Sequence, residues 1–187
     1  MNNIEVELKF PLLNAREAAS ILGRVAGQGR SERQVDTYFN HPDRDFLAAR
    51  PITEWLRIRE TGHGAVLNYK HWHHTKEKRT VSCDEYETNI ENAAAAKRLL
   101  EALGFNVLIV VDKTRKTWRY KDVEVAIDDV KELGAYVELE AKGRFKDIEE
   151  AKTHLYEVVK ELDLQLGEQD LKGYPFLLLE KKGYKLA

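Results

Sequence analysis

The chain has 187 residues, 43 % apolar and 33 % charged, which suits one charge-rich globular domain and gives no reason to expect two. Its 30 Lys and Arg nearly cancel its 32 Asp and Glu, which argues against a protein that coats nucleic acid through one dominant sign. Cys83 is the only cysteine, so an intrachain disulfide is excluded and a reducing, cytoplasmic setting is expected.

The opening MNNIEVELKF has no basic stretch leading into an apolar one, so it does not read as a signal peptide. Ile4–Phe10 alternates apolar and charged residues and predicts a strand. A helix follows from Asn14 to Ala26, with Asn14 as cap, Glu17 at the capping-box position and Gly27 just beyond. Val35–Asn40, Trp55–Glu60 and Ala65–His71 predict three strands, and the polar stretch Thr75–Arg79 a mobile loop. Next come a strand over Asp84–Ile90 and an alanine-rich helix from Asn92 to Gly104. Val107–Tyr120 and Val123–Asp128 predict a hairpin turning at Lys121–Asp122, and Tyr136–Lys142 an eighth strand. The last predicted helix starts at Asp147, with Glu150 three residues on and Ile148, Ala151, Leu155, Val158, Val159 and Leu162 on one face. The longest apolar runs, Val107–Val111 and Phe176–Leu179, are far short of a membrane span. No linker or low-complexity stretch interrupts the chain, so residues 1–187 read as a single domain. A coarse repeat is visible: acidic-x-acidic strands at Glu5/Glu7, Glu85/Glu87 and Glu138/Glu140 each precede a helix, and basic-x-basic strands at Arg57/Arg59 and Lys113/Arg115 follow one.

Residues two apart on a strand share a face. Glu5, Glu7 and Lys9 therefore oppose Ile4, Val6, Leu8 and Phe10, while Arg57 and Arg59 oppose Leu56 and Ile58. Glu124 and Asp128 oppose Val123, Val125 and Ile127, and Glu138, Glu140 and Lys142 oppose Val137, Leu139 and Ala141. Asn68 and Lys70 share a face, as do Lys113 and Arg115. An open sheet with a salt-laced face in water would account for this pattern. The alternative is a sheet curled into a barrel, ionic face inward and apolar face covered by helices, which also removes exposed strand edges. Such a lumen suits a polyphosphate–metal complex. Carboxylates are hard oxygen ligands for Mg²⁺ or Mn²⁺, and Lys and Arg bind phosphate oxygens.

The stretch EVELK (Glu5, Glu7, Lys9) resembles the ExExK signature of the CYTH family, the triphosphate tunnel enzymes. VDTYF with Tyr38, LRIR with Arg57 and Arg59, NYK with Lys70, EYE with Glu85 and Glu87, DKTRKTW with Lys113 and Arg115, and AIDDVKELGAYVELE with Asp128, Glu138 and Glu140 follow in family order. The resemblance covers nearly the whole chain. It implies an α+β fold, an eight-stranded antiparallel tunnel with helices packed outside. It implies Mg²⁺ or Mn²⁺ held by Glu5, Glu7, Asp128, Glu138 and Glu140, with Glu85 and Glu87 as further lumen acids. It implies a triphosphate such as ATP held by Lys9, Arg57, Arg59, Lys70, Lys113 and Arg115, and a homodimer. The stretch around Asp128 is most similar to the class IV adenylyl cyclase branch, with Tyr136 where Phe is usual and Gly173–Tyr174 in place of a Ser-Tyr pair. That branch implies cyclisation of ATP; the other enzymatic reading is a triphosphatase acting on inorganic, thiamine or nucleoside triphosphate, in which Lys9 and Tyr38 are the implied catalytic pair. A third reading, a polyphosphate or nucleotide sensor without turnover, leaves so many acids without a purpose.

Other signals are weaker. His71, Trp72, His73 and His74 supply no complete zinc set in sequence and read as a strand end facing solvent. Arg115–Lys121 alternates with Thr114, Trp118 and Tyr120 and reads as a strand, not a nucleic-acid stripe. No GxxxxGK[ST], HExxH or GxSxG motif occurs, and Cys83 reads as a small buried or semi-buried residue.

Overall fold

The computed structural model describes residues 6–74 and 80–186. Ile4, Glu5 and the predicted loop Thr75–Arg79 lie outside the described residues. The elements run β1 (Glu7–Pro11), α1 (Ala15–Ala26), β2 (Arg30–Asn40), β3 (Glu54–Thr61), β4 (Gly64–His74), β5 (Thr80–Ile90), α2 (Ala93–Ala102), β6 (Asn106–Tyr120), β7 (Val123–Val130), β8 (Gly134–Ala141), α3 (Ile148–Leu162) and α4 (Tyr174–Lys181). The eight strands form one sheet in the order β1-β8-β7-β6-β2-β3-β4-β5. The ladders β1–β8, β7–β8, β6–β7, β2–β3, β3–β4 and β4–β5 are all antiparallel. Among the described residues the sheet ends at β1 and β5 and strand pairing does not close it, so the fold is α+β with an eight-stranded antiparallel sheet. Among the described residues no helix is long and apolar enough to cross a membrane.

The helix starts follow from their caps. Asn14, Asn92 and Asp147 accept from the backbone N–H groups of Glu17, Ala95 and Glu150, which satisfies a donor that the first turn leaves open. In the β6–β7 hairpin Lys121 takes a left-handed φ of 55°, the conformation a two-residue turn demands.

Two differences from the sequence reading have physical causes. A fourth helix, α4, forms where no helix is predicted: its run YPFLLLEK opens with six contiguous apolar residues, so it lacks the polar stripe that gives periodicity. Pro175 is tolerated there because it lies in the first turn, where its missing N–H costs no helical bond. Strand β2 also begins at Arg30, five residues before Val35, through the polar stretch Arg30–Gln34. There Arg33 donates Nε and Nη2 to Asp112 of β6 at 2.9 and 2.8 Å, so a bidentate ion pair supports the strand where no apolar face does.

The chain divides into two compact units. In one, composed of residues 5–32 and 113–173, Leu8, Phe10, Val123, Val125, Ile127, Val137 and Leu139 form the apolar sheet face. That face packs on Ala18 and Leu22 of α1 and on Leu155, Val158 and Leu162 of α3. In the other, residues 33–112 and 174–187 with 1–4, Phe39, Leu56, Ile58, Leu67 and Tyr69 pack with Phe46, Phe105 and Ala93, Ala96 and Leu100 of α2. In each unit the helices cover the apolar face, which leaves the ionic side chains on the opposite one.

Candidate active site

The ionic face of the first unit is built from β1, β8, β7 and β6. Register sets Lys9 against Glu138, and Glu138 against Ala126; one step along, Glu7 opposes Glu140, which opposes Glu124. Arg115 opposes Asp128 on β7. Asp128 is 0 % exposed, and its carboxylate accepts from Lys113 Nζ at 2.8 Å, Arg115 Nε at 2.7 Å and Arg115 Nη2 at 2.6 Å. Glu138 pairs with Lys9 Nζ at 3.1 Å and with Arg115. Burial by itself would push the Glu138 carboxyl up, but Arg115, Lys9 and Lys113 outweigh it and hold that carboxyl far below the usual range. Asp128 is lowered too, its burial opposed by the Arg115 hydrogen bond and by the charge of Lys113. Lys113 goes the other way. Burial, then repulsion from Arg115, bring its ammonium down to about 8 despite Glu138 and Asp128.

The second unit repeats the device on β2, β3, β4 and β5. Asp36, 2 % exposed, accepts from Arg59 Nε and Nη2, each at 2.7 Å, and from Arg57 Nη1 at 3.3 Å. The Tyr38 hydroxyl accepts from the same Arg57 nitrogen at 3.3 Å, and its ring meets Trp55 edge-on with centroids 5.5 Å apart. Asn68 donates to Glu85 at 2.7 Å and Glu87 at 3.1 Å, and Lys70 pairs with Glu85 at 3.2 Å. Against its burial, Asn68 and Lys70 hold the Glu85 carboxyl below its ordinary value. Arg57 Nε is buried and has no hydrogen-bond partner among the described residues, so it can donate to an oxygen of a bound anion.

The predicted site residues thus fall into distinct environments. Lys9, Lys113, Arg115, Asp128 and Glu138 form one connected network; Arg57, Arg59 and Tyr38 form another around Asp36, and Lys70, Glu85 and Glu87 a third around Asn68. Glu7 and Glu140 stand in a carboxylate row, and Glu5 lies outside the described residues. Asp36, Asn68 and Glu124 also stand on these faces and are not among the predicted site residues. Each lies two or four residues from a predicted one on the same strand face, at Tyr38, Lys70 and Asp128.

The donor chemistry fits a hard divalent cation at the row Glu7–Glu140–Glu124. Like charges directly opposite across strands repel, and Lys142 pairs with Glu140 at 2.5 Å. A divalent ion between the carboxylates would relieve the rest of that repulsion. Asp128 and Glu138 accept from Lys and Arg, so in this arrangement they orient bases.

The family profile described as CYTH domain matches residues 3–174. The chain belongs to the CYTH family. Within it, a protein of Methanocaldococcus jannaschii named "Putative adenylate cyclase" is 32 % identical over 175 residues, which cover 91 % of this chain and 96 % of that one. A solved structure of a Pyrococcus horikoshii OT3 protein has a TM-score of 0.77 and 31 % identity, covering 95 % of this chain and 99 % of its own. A Hippeastrum protein named "Putative adenylyl cyclase", whose structure is said to reveal a dominant triphosphatase activity, has a TM-score of 0.62 at 18 % identity over 98 % of both chains, a likeness of fold. The CYTH-motif residues among the described ones stand on the ionic faces described above.

Proposed function

We propose that this CYTH protein is a divalent-metal-dependent enzyme acting on a triphosphate, and that its reaction is the class IV type: ATP to 3′,5′-cyclic AMP and pyrophosphate. The observation that carries the triphosphate reading is the buried carboxylate ringed by two cationic side chains in each unit. Asp36 aims Arg57 and Arg59, and Asp128 aims Lys113 and Arg115, so these bases are oriented before any anion arrives. The orphaned Arg57 Nε adds a donor suited to a phosphate oxygen. The name of the M. jannaschii relative supports the cyclase assignment.

In this reading the ribose 3′-hydroxyl oxygen attacks the α-phosphorus and releases its proton to the departing pyrophosphate or to solvent, the bond to the bridging oxygen breaks, and pyrophosphate leaves. Lys9, Lys113 and Arg115 of one unit, and Arg57, Arg59 and Lys70 of the other, are each candidates to bind phosphate oxygens, and cations there would stabilise the charge that grows on the leaving group. Mg²⁺ or Mn²⁺, held by Glu7, Glu140 and Glu124 with Glu5 of the same signature, would neutralise phosphate charge and polarise the reacting phosphorus. Tyr38 supports a second reading, hydrolysis, because its hydroxyl beside Arg57 is a group that can handle a proton of water or of the leaving phosphate.

Incubating the protein with Mg²⁺ or Mn²⁺ and, separately, ATP, thiamine triphosphate and tripolyphosphate tests this. Chromatography should find cyclic AMP and pyrophosphate from ATP and nothing in excess EDTA. Orthophosphate plus diphosphate as the main products would replace the cyclase with the hydrolase, and undiminished turnover in EDTA would remove the metal.

Lys113 gives the reaction a pH signature. Its lowered value means that the cation is present below pH 8 and lost above it, so a base needed for phosphate binding disappears as pH rises. The kcat/KM profile, which reports the free enzyme, should fall above about pH 8, and Lys113→Arg, cationic throughout, should remove that limb. A limb that persists in a folded Lys113→Arg protein assigns it to another group.

A further inference from the structure

The opposite face of the β4–β5 ladder carries a cluster of different chemistry. His71 and His73, two apart on β4, share a face that Lys70 and Trp72 do not. Asp84 on β5 is the direct cross-strand neighbour of His71. One ligand atom each of His71, His73 and Asp84 lies within 4.8 Å of the other two. The imidazole centroids are 4.5 Å apart, and His73 Nε2 is 2.8 Å from Asp84 Oδ2. The other cross-strand neighbour of His71, Glu54 on β3, is already engaged: it accepts from the Tyr69 hydroxyl at 2.5 Å and pairs with Arg44 at 2.8 Å. Cys83 pairs with Trp72 in register and so belongs to the other face. The ladder changes register between His73 and His74, an irregularity of the kind that re-aims side chains at functional sites.

We infer that His71, His73 and Asp84 bind a divalent transition-metal ion of the Zn²⁺ class, separately from the hard cation of the carboxylate row. Two imidazole nitrogens and one carboxylate oxygen select Zn²⁺, Ni²⁺ or Co²⁺ over Mg²⁺, which prefers oxygen alone. Three protein ligands leave a fourth position for water, as in open zinc sites. With metal–ligand bonds of about 2.0–2.2 Å, the ligand atoms of a tetrahedral site lie roughly 3.2–3.6 Å apart. Side-chain rotation on two paired strands closes that gap without moving the backbone. An ordinary ion pair between His73 and Asp84 would need neither His71 nor the close approach of a second imidazole tilted at 47°, and at a half-exposed position it contributes little. The sequence hides this site because its third ligand stands on the next strand, 11 residues beyond His73.

The test uses tag-free protein in millimolar Mg²⁺, so that the carboxylates are saturated with the hard ion, and titrates Zn²⁺ by calorimetry and equilibrium dialysis. The expected result is one Zn²⁺ per chain with micromolar or tighter affinity. The double variant His71→Gln/His73→Gln should weaken it by about 100-fold or more, since even loss of outer-shell partners costs 10–100-fold. Co²⁺ should give the visible absorption of a four- or five-coordinate nitrogen–oxygen site in the wild type and lose it in the variant. His41, His63, His74 and His154 remain in that variant and report adventitious binding. Asp84→Asn gives a second reading of the same loss should the double variant fail to fold. Wild-type protein that retains no Zn²⁺, or variants that bind it with unchanged stoichiometry and affinity, would overturn the inference.

Discussion

Glu140→Gln should cut turnover by at least about 100-fold at ordinary Mg²⁺ concentration, the scale on which disturbed metal shells lose activity. The substitution keeps shape and removes one charge from the row Glu7–Glu140–Glu124, so the lost quantity is cation affinity. Raising Mg²⁺ or Mn²⁺ should therefore recover part of the activity, and the half-saturating metal concentration should shift upward. Glu138→Gln should behave differently. Glu138 pairs with Lys9 at 3.1 Å and with Arg115, so its loss removes one carboxylate that helps to aim Lys9 and, beside Asp128, Arg115. KM should rise there, and added metal should not restore it. A Glu140→Gln protein with native circular dichroism, full activity and an unchanged Mg²⁺ requirement would refute the proposed cation row.

The contrast between these two glutamates marks where sequence reasoning stops. That Glu138 and Glu140 share a face follows from a period of two, as does the opposition of Val137 and Leu139 to both. Which of them faces a base across the ladder and which faces another acid is a matter of register, and register is a property of pairs of strands. Glu124 shows the same limit: it shares the face of Asp128, yet only its pairing with Glu140 brings it beside Glu7. Asp36 sits inside the VDTYF motif two residues before Tyr38, but nothing local reveals that Arg59 grips it from the next strand. The helices were legible where a cap precedes a periodic stripe, as at Asn14 and Asp147, and α4 was not because it is apolar on all sides.

The repeat glimpsed in the sequence has a structural form. β1-α1-β2-β3-β4 is followed by β5-α2-β6-β7-β8, the same order of elements, and the sheet order reads as its own reverse when the two sets are exchanged. The electrostatics of the two sets are inverted. On the second and third strands of the first set, the acid Asp36 lies on β2 and the bases Arg57 and Arg59 on β3. In the equivalent places of the other set, the bases Lys113 and Arg115 lie on β6 and the acid Asp128 on β7. Either polarity yields two cations ordered by one buried carboxylate. Removing either acid would leave buried cations uncompensated, which costs far more than the pair contributes when intact.

3′-Deoxy-ATP should yield no product at all from the wild-type protein. It keeps the base, the whole triphosphate and every phosphate oxygen that the lysines and arginines can bind, and lacks only the hydroxyl that attacks the α-phosphorus. It should therefore compete with ATP at a concentration near the KM of ATP, so its inertness cannot be blamed on weak binding. Tyr38→Phe supplies the matching protein-side result. A cyclase uses the hydroxyl of its own substrate and has no water to activate, so the variant should keep cyclic AMP formation within about tenfold, a barrier change under about 1.4 kcal/mol. In a hydrolase that relied on Tyr38 for proton transfer, the same substitution would cost about 10²–10⁴-fold. The Arg57 contact at 3.3 Å is the one described hydrogen bond that Phe would remove. Release of diphosphate or orthophosphate from 3′-deoxy-ATP, joined by a large loss in Tyr38→Phe, would transfer the assignment from cyclisation to hydrolysis, because attack would then come from water at the terminal phosphate.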